Sequence, residues 1–175
     1  MIGSVLFAPN SQVPAGQKSQ WLSRSIRKSD HKNKSNRVGV SRLGVFRLFQ
    51  GLDTEAIAEI SQSCLELSVD SGSIVIRQGQ VGKEIYLLEN GSVAIYVESG
   101  ETARLIGELQ APSVFGEMAI KNPERIRTAN VAAVTDLNLL TIPIPAYLSF
   151  LRRFAALREN QARLVAERAA TVSNR

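Results

Sequence analysis

Hydrophobic positions divide the chain into stretches of different period. From Gln17 to Val40 the residues are mostly Ser, Lys, Arg, Asn and Gln, with almost no apolar repeat. Such a segment buries too little surface to offset the entropy of ordering it, so residues 1–42 are expected to be a basic, disordered tail. Order is expected near Arg42, where Val45-Phe46-Arg47-Leu48-Phe49 forms an apolar knot before Gly51. Asp53 or Thr54 then offers a helix cap. Ile57, Ile60 and Cys64 recur at spacings of three and four, which puts them on one face of a helix running to about Cys64.

After Asp70 the pattern changes to short β-rich runs punctuated by glycine: Ser73–Ile76, Ile85–Leu88, Val93–Val97, Ala103–Ile106, Ala129–Val134 and Leu137–Ile142. The turn signals between them are Gly79 with Gly82, Asn90-Gly91 and Ser99-Gly100-Glu101. Asn90-Gly91 suits a two-residue turn with positive φ, so the runs are expected to form hairpins of a small antiparallel sandwich or barrel. From Ala146 the period turns helical, with Tyr147, Phe150, Leu151 and Phe154 on one face, followed by Leu157, Leu164 and Val165. Two helices or one bent helix would close the chain. A stripe of Ala162, Val165, Ala169 and Val172 fits either packing onto the barrel or a partner helix.

Length and composition narrow the class. At 175 residues and 44% apolar content the chain suits one domain with appendages. It has no apolar run near the ~18–20 residues that cross a bilayer. The net charge of +5 is uneven: up to Arg47 nine Lys/Arg face one Asp, whereas the remainder carries −3. Any attraction to phosphates therefore rests on the tail. There Trp21, Arg24, Arg27, Lys28, Lys32 and Lys34 make either a membrane-surface or nucleic-acid arm or a solvated linker. One cysteine and one histidine, Cys64 and His31, allow neither an internal disulfide nor a Cys/His zinc site. Cys64 is expected in the core. Met1 to Pro9 makes a poor secretory signal, and a cytoplasmic location is expected.

The stretch with chemical character is Val114-Phe115-Gly116-Glu117-Met118-Ala119-Ile120, followed by Lys121-Asn122-Pro123-Glu124-Arg125-Ile126-Arg127-Thr128-Ala129. Glycine before a carboxylate and a short helix-competent run make a helix N-terminus whose amides can meet an anion. Arg127 would return a guanidinium to that place, and Glu117, acceptor-only when ionised, would suit a sugar hydroxyl. By spacing alone, a structural Glu117–Arg127 ion pair beside a turn is an equal reading. There is no evident nucleophile–base pair or metal set, which argues against an enzyme.

Phe115-Gly116-Glu117-Met118-Ala119 with Arg127-Thr128-Ala129 resembles the phosphate-binding cassette of the cyclic nucleotide-binding domain family. The resemblance covers roughly residues 43–170, within a domain expected over 43–172. It implies a mainly β fold with flanking helices, an antiparallel jelly-roll-like β-roll over about 66–145. An N-terminal helix would precede the roll, and C-terminal hinge and lid helices would follow over about 146–172. It implies cAMP or cGMP as ligand and no other cofactor. The Glu117 carboxylate would accept from the ribose 2′-hydroxyl and Arg127 would pair with the cyclic phosphate. Phe115, Gly116, Met118 and Ala119 would line the cassette, and Thr128 and Ala129 would finish it. A hydroxyl at the Thr128 position is associated in parts of the family with cGMP as well as cAMP. Leu164-Val165-Ala166-Glu167-Arg168 also resembles the dimer helix of cAMP-receptor-type regulators. That implies a possible homodimer, here without the DNA-binding domain of those regulators.

The cassette departs from the common pattern in three places: eight positions separate Ala119 from Arg127, Ala111-Pro112-Ser113 precedes the motif, and Lys121 stands where an apolar residue is usual. Arg125 is consequently a rival to Arg127 for the phosphate. Asn160, Gln161 and Arg163 are the candidate lid residues over the base. The implied role is a cyclic-nucleotide receptor that signals to a protein effector by moving its C-terminal helices. A degenerate, non-binding scaffold or oligomerisation module is the alternative.

Overall fold

The computed structural model describes residues 38–100 and 102–173. The basic arm from Trp21 to Lys34 lies outside the described residues. Packing begins by Val38, which is buried, ahead of helix α1 (Val40–Leu43) and of the expected start near Arg42. Val38 joins the same apolar cluster as Leu43 and Phe46, and beside it stands Arg42. Its guanidinium donates to both carboxylate oxygens of Glu89, at 2.8 and 2.6 Å, and also pairs with Glu66. A 3-10 turn (Arg47–Phe49) and helix α2 (Thr54–Gln62) follow, and the Asp53 carboxylate caps α2 by accepting from the Ala56 N–H at 2.7 Å.

The helix stops two residues before Cys64, where a turn hands the chain to β1 (Leu65–Val69). No strand is named there from the residues, although Leu65-Glu66-Leu67-Ser68-Val69 alternates apolar and polar and the implied β-roll starts at about 66; three of the five are exposed. The remaining strands are β2 (Ile74–Ile76), β3 (Glu84–Asn90), β4 (Ser92–Ser99), β5 (Thr102–Gln110), β6 (Ser113–Phe115), β7 (Asn130–Ala133) and β8 (Leu137–Pro143). They form two four-stranded antiparallel sheets, ordered β1-β8-β3-β6 and β2-β7-β4-β5. This is the antiparallel β-roll with flanking helices that the sequence implied.

The hairpin expectation holds at one place. Among the described residues, β4 and β5 are the consecutive strands that pair with each other, and Gly100 (φ 57°) turns between them. Asn90-Gly91 is not a two-residue hairpin turn. Asn90 stays extended at the end of β3, and Gly91 alone (φ 96°) makes a corner that carries the chain from one sheet to the other. A Cβ at Gly91 would lie 2.5 Å from the Asp136 carbonyl oxygen and 2.7 Å from Thr135 Oγ1. The crossing is dictated by the partners, since β3 pairs with β8 and β6 while β4 pairs with β7 and β5.

Burial explains why some runs are apolar throughout. Tyr86 and Leu88 of β3, with Leu137 and Leu139 of β8, face a core shared with the second sheet that includes Ile76, Val93 and Val131. Their neighbours Ile85, Leu87, Leu140 and Ile142 face the helices, against Phe46, Phe49, Ile60, Tyr147 and Phe150. A sheet covered on both faces needs apolar residues at every position, which is why period 2 is lost in Ile85–Leu88.

Two helices close the chain, α3 (Ile144–Arg153) and α4 (Ala155–Ser173), separated at Phe154, whose backbone is extended. The first half of α4 is fastened by buried Leu157 and by two polar contacts. Tyr147 O–H donates to Gln161 Oε1 at 2.6 Å, and Asn160 Nδ2 donates to the carbonyls of Leu48 and Gln50 at 3.1 and 2.7 Å. Of the small-residue stripe, Val165 is buried against its own domain while Ala162 and Ala169 are exposed. No helix among the described residues is long and apolar enough to cross a membrane.

Two outcomes follow from this packing. Gly91→Ala should lower unfolding stability by about 2 kcal/mol or more in urea denaturation, because left-handed backbone strain adds to a clash with backbone oxygen. Cys64 is buried, and burial, then the Glu89 carboxylate, push its thiol from the ordinary 9.0 up to about 12. The fold therefore favours the protonated thiol; that contribution is fully present below pH 9 and is lost as pH rises toward 12. A disulfide reagent at pH 8 should leave Cys64 unmodified in the native protein and modify it fully in denaturant.

Candidate functional site

Pairing of β3 with β6 sets the floor of the site. Tyr86 lies opposite Phe115 in register, and their rings stack with centroids 5.0 Å apart and planes 7° from parallel. The chain then turns at Gly116, whose φ of 86° is a left-handed conformation open to glycine at little cost. The expected short helix forms as a 3-10 turn (Glu117–Lys121). Glu117 and Ala119 are buried in it, Glu117 with 0% exposure, while Met118 is half-buried.

The return segment is held by the β2–β3 connection. Gly79 N–H donates to the Arg127 carbonyl at 2.9 Å, Arg127 N–H to that of Gln80 at 2.8 Å, and Gly82 N–H to that of Arg125 at 2.8 Å. The longer cassette is accommodated within residues 122–126. Asn122 Oδ1 accepts from the Ile126 N–H at 2.9 Å, Asn122 Nδ2 donates to the Ile126 carbonyl at 3.3 Å, and Arg125 takes a left-handed φ of 57°.

That geometry separates the two arginines. The Arg125 side chain stands half-exposed at the loop apex, whereas Arg127 is buried. Arg127 donates through Nη1 to the Gly116 carbonyl at 2.7 Å and through Nη2 to the Glu84 carbonyl at 2.6 Å. Its guanidinium carbon sits 5.7 Å from the centre of the Tyr86 ring. Two glycines make room for it. A Cβ at Gly116 would lie 2.7 Å from Nη1, and one at Gly82 would lie 2.9 Å from the guanidinium carbon. Desolvation lowers the Arg127 pKa from its ordinary value, partly offset by Tyr86, Glu84 and Glu117, and the group keeps its charge at neutral pH. Tyr86 is held protonated, first by burial and then by Glu84, whose carboxylate accepts its O–H at 2.8 Å.

Glu117 meets a different cation from the one its spacing suggested. Arg168, on α4, donates through Nη1 to Glu117 Oε1 and through Nη2 to the Val114 carbonyl. Glu117 Oε2 is buried without a hydrogen-bond partner. Arg127 acts on Glu117 through its field, and the direct ion pair belongs to Arg168. Of the expected lid residues, Gln161 and Asn160 fasten the helix, and Arg163 is exposed on the wall of a cleft beside it. Thr128 is exposed and Ala129 half-buried at the end of the cassette.

Residues 66–154 match the model of the family described as "Cyclic nucleotide-binding domain". The chain belongs to that family. Among curated proteins, the cyclic nucleotide-gated channel beta-3 of Mus musculus is 32% identical over 107 residues, 60% of this chain and 15% of the channel. The cAMP-dependent protein kinase regulatory subunit of Schizosaccharomyces pombe is 33% identical over 116 residues, 66% of this chain and 27% of that subunit. The chain thus spans well under a third of either relative. The solved structure of the Thermus thermophilus catabolite activator protein superposes with a TM-score of 0.64 at 29% identity, covering 73% of this chain and 60% of that one.

The strained loop apex of this cyclic nucleotide-binding domain generates its own test. Arg125→Gly should raise the urea midpoint by about 0.5 kcal/mol of stability, since relief of left-handed strain outweighs the entropy that glycine adds to the unfolded chain. A lower midpoint would mean that the Arg125 side chain stabilises the loop in its own right.

Proposed function

We propose that this chain is a cyclic-nucleotide receptor and not a catalyst. The buried guanidinium and the buried carboxylate of one cassette carry this reading. Two of the five donors of Arg127 are engaged by the Gly116 and Glu84 carbonyls, which fixes its plane and leaves donors for a bidentate contact with a cyclic phosphate. Glu117 has one oxygen without a donor, and a ribose 2′-hydroxyl would supply one. Phe115, Gly116, Met118, Ala119, Thr128 and Ala129 form the rest of the wall. cAMP is the first ligand, with cGMP admitted by the Thr128 hydroxyl.

Occupancy reaches a protein effector, or a second copy of the chain, through α3 and α4. These helices already lie against the roll in the structure, fastened by Leu157, Asn160 and Gln161. A ligand shifts them only by its differential affinity for their positions. The domain of residues 43–172, working in the cytoplasm behind its basic tail, is the unit proposed to respond.

Calorimetric titration with cAMP and cGMP tests the reading. Arg127→Ala should cost about 2–5 kcal/mol of binding free energy, and Arg127→Lys should also bind more weakly, because an ammonium lacks the fork. Arg125→Ala should bind as the parent does, within about twofold. Absence of heat and of a thermal shift with either nucleotide would leave the scaffold reading in its place.

A further inference from the structure

Glu84 meets the buried guanidinium in two opposed ways. Its backbone carbonyl accepts from Arg127 Nη2 at 2.6 Å and helps to fix the plane of the fork. Its carboxylate, in contrast, reaches Arg127 through its field. Residues two apart on a strand share a face, and here Tyr86 O–H donates to Glu84 Oε1 at 2.8 Å. The ring that bears this hydroxyl stacks on Phe115 and faces the Arg127 guanidinium, so a buried, packed side chain holds the carboxylate beside the place an anion would occupy.

That carboxylate has no countercharge of its own. A phenol hydroxyl contributes a dipole but no charge, and among the described residues Glu84 makes no ion pair. The other carboxylate of the cassette differs, because Glu117 is paired with Arg168. Lys83, Lys121, Glu124 and Arg125, the remaining charged groups of the cassette and its approach, stand exposed or half-exposed, where solvent and salt screen them. An anion entering the site therefore meets one buried cation, Arg127, and one uncompensated carboxylate, Glu84.

Coulomb energy grows in proportion to the charge of the ligand. A cyclic phosphate diester carries one negative charge, whereas a nucleoside 5′-monophosphate takes on a second as pH rises through about 6. Arg127 by itself would favour the dianion. We propose that Glu84 is a specificity-determining residue, a charge filter that weakens every phosphate ligand once for each negative charge and so turns the site toward the monoanionic cyclic diester and away from the dianionic nucleoside monophosphate. This rests on the receptor reading above. The filter gives up affinity for the cyclic ligand in order to reject the linear one. Hydrolysis of the cyclic diester yields that linear monophosphate, so the site stays clear of the spent signal.

The test is calorimetric titration of the full chain and of its Glu84→Gln variant with cAMP, with 5′-AMP measured by displacement, at pH 5 and pH 8. Glutamine keeps the length of the side chain and an oxygen for the Tyr86 hydroxyl, and it removes the charge. At pH 8 the variant should bind cAMP about tenfold and 5′-AMP about a hundredfold more tightly than the parent, so the preference for cAMP narrows about tenfold. At pH 5 that preference should narrow by less than about threefold, since 5′-AMP is then mostly a monoanion. Shape separates the two ligands alike at both pH values, and only the pH-dependent part reads charge. Glu84→Asp, which restores the charge, should keep the parent's preference at pH 8, and thermal melts verify that both variants fold.

Equal tightening of the two ligands at pH 8, or a narrowing of the same size at both pH values, would overturn the filter. Weaker cAMP binding by the folded glutamine variant would overturn it too and leave Glu84 as a support for Tyr86. When the parent binds cAMP, any of these results removes the filter alone. If neither protein binds either nucleotide at either pH, the receptor reading fails and the filter fails with it.

Discussion

Glu117 and Arg127 carry opposite charges in places largely closed to water, and much of the surrounding structure compensates for that. Moving a single ion out of water costs several kcal/mol even after the protein relaxes, so each must be met by dipoles or countercharge of good geometry. Arg127 is met by two backbone carbonyls and the face of Tyr86. Those carbonyls are in reach because Gly82 and Gly116 present no side chain to the guanidinium. Residues that read as loop punctuation therefore form the framework of the charged site, and the β3–β6 register behind them sets its floor.

The two charges are compensated from different parts of the molecule. Arg127 is satisfied from within the roll, by β3 and the cassette itself, whereas Glu117 depends on a guanidinium from the last helix. The roll can accordingly keep Arg127 in place whatever α4 does, but the state of Glu117 and the position of the helix end are tied together. Cooperation between a binding pocket and a distant element needs such a shared group, with differential contacts in each arrangement.

Much of this was legible in the residues. Glycine-punctuated apolar runs gave the β-roll, three- and four-residue spacing gave the helices, and Phe115–Ala119 with Arg127–Ala129 marked the cassette. What could not be read has physical causes. β1 does alternate, Leu65, Leu67 and Val69 against Glu66 and Ser68, but it is five residues long, follows the helix with no turn signal between them, and buries only Val69. Asn90-Gly91 carried a hairpin signature, yet local turn chemistry is silent on which sheet the next strand joins, and the pairing with β7 overrode it. Arg168 stood in view within the run from Leu164 to Arg168. Its meeting with Glu117 spans 51 residues and depends on how α4 docks, which no local spacing encodes.

The connectivity has a kinetic meaning as well. With β4–β5 the one ladder between consecutive strands among those described, the other pairings join distant segments; Leu65 and Thr141, opposite one another across β1 and β8, lie 76 residues apart. Closing such loops costs chain entropy before any contact compensates for it, and topologies of this kind fold orders of magnitude more slowly than helical bundles. The cassette inherits that order of events. Its floor needs β3 against β6, and its buried arginine needs the β2–β3 connection to meet the segment before β7. A chain that has formed only its local hairpin contains no partial version of the site, which comes into being only as the last long-range ladders close.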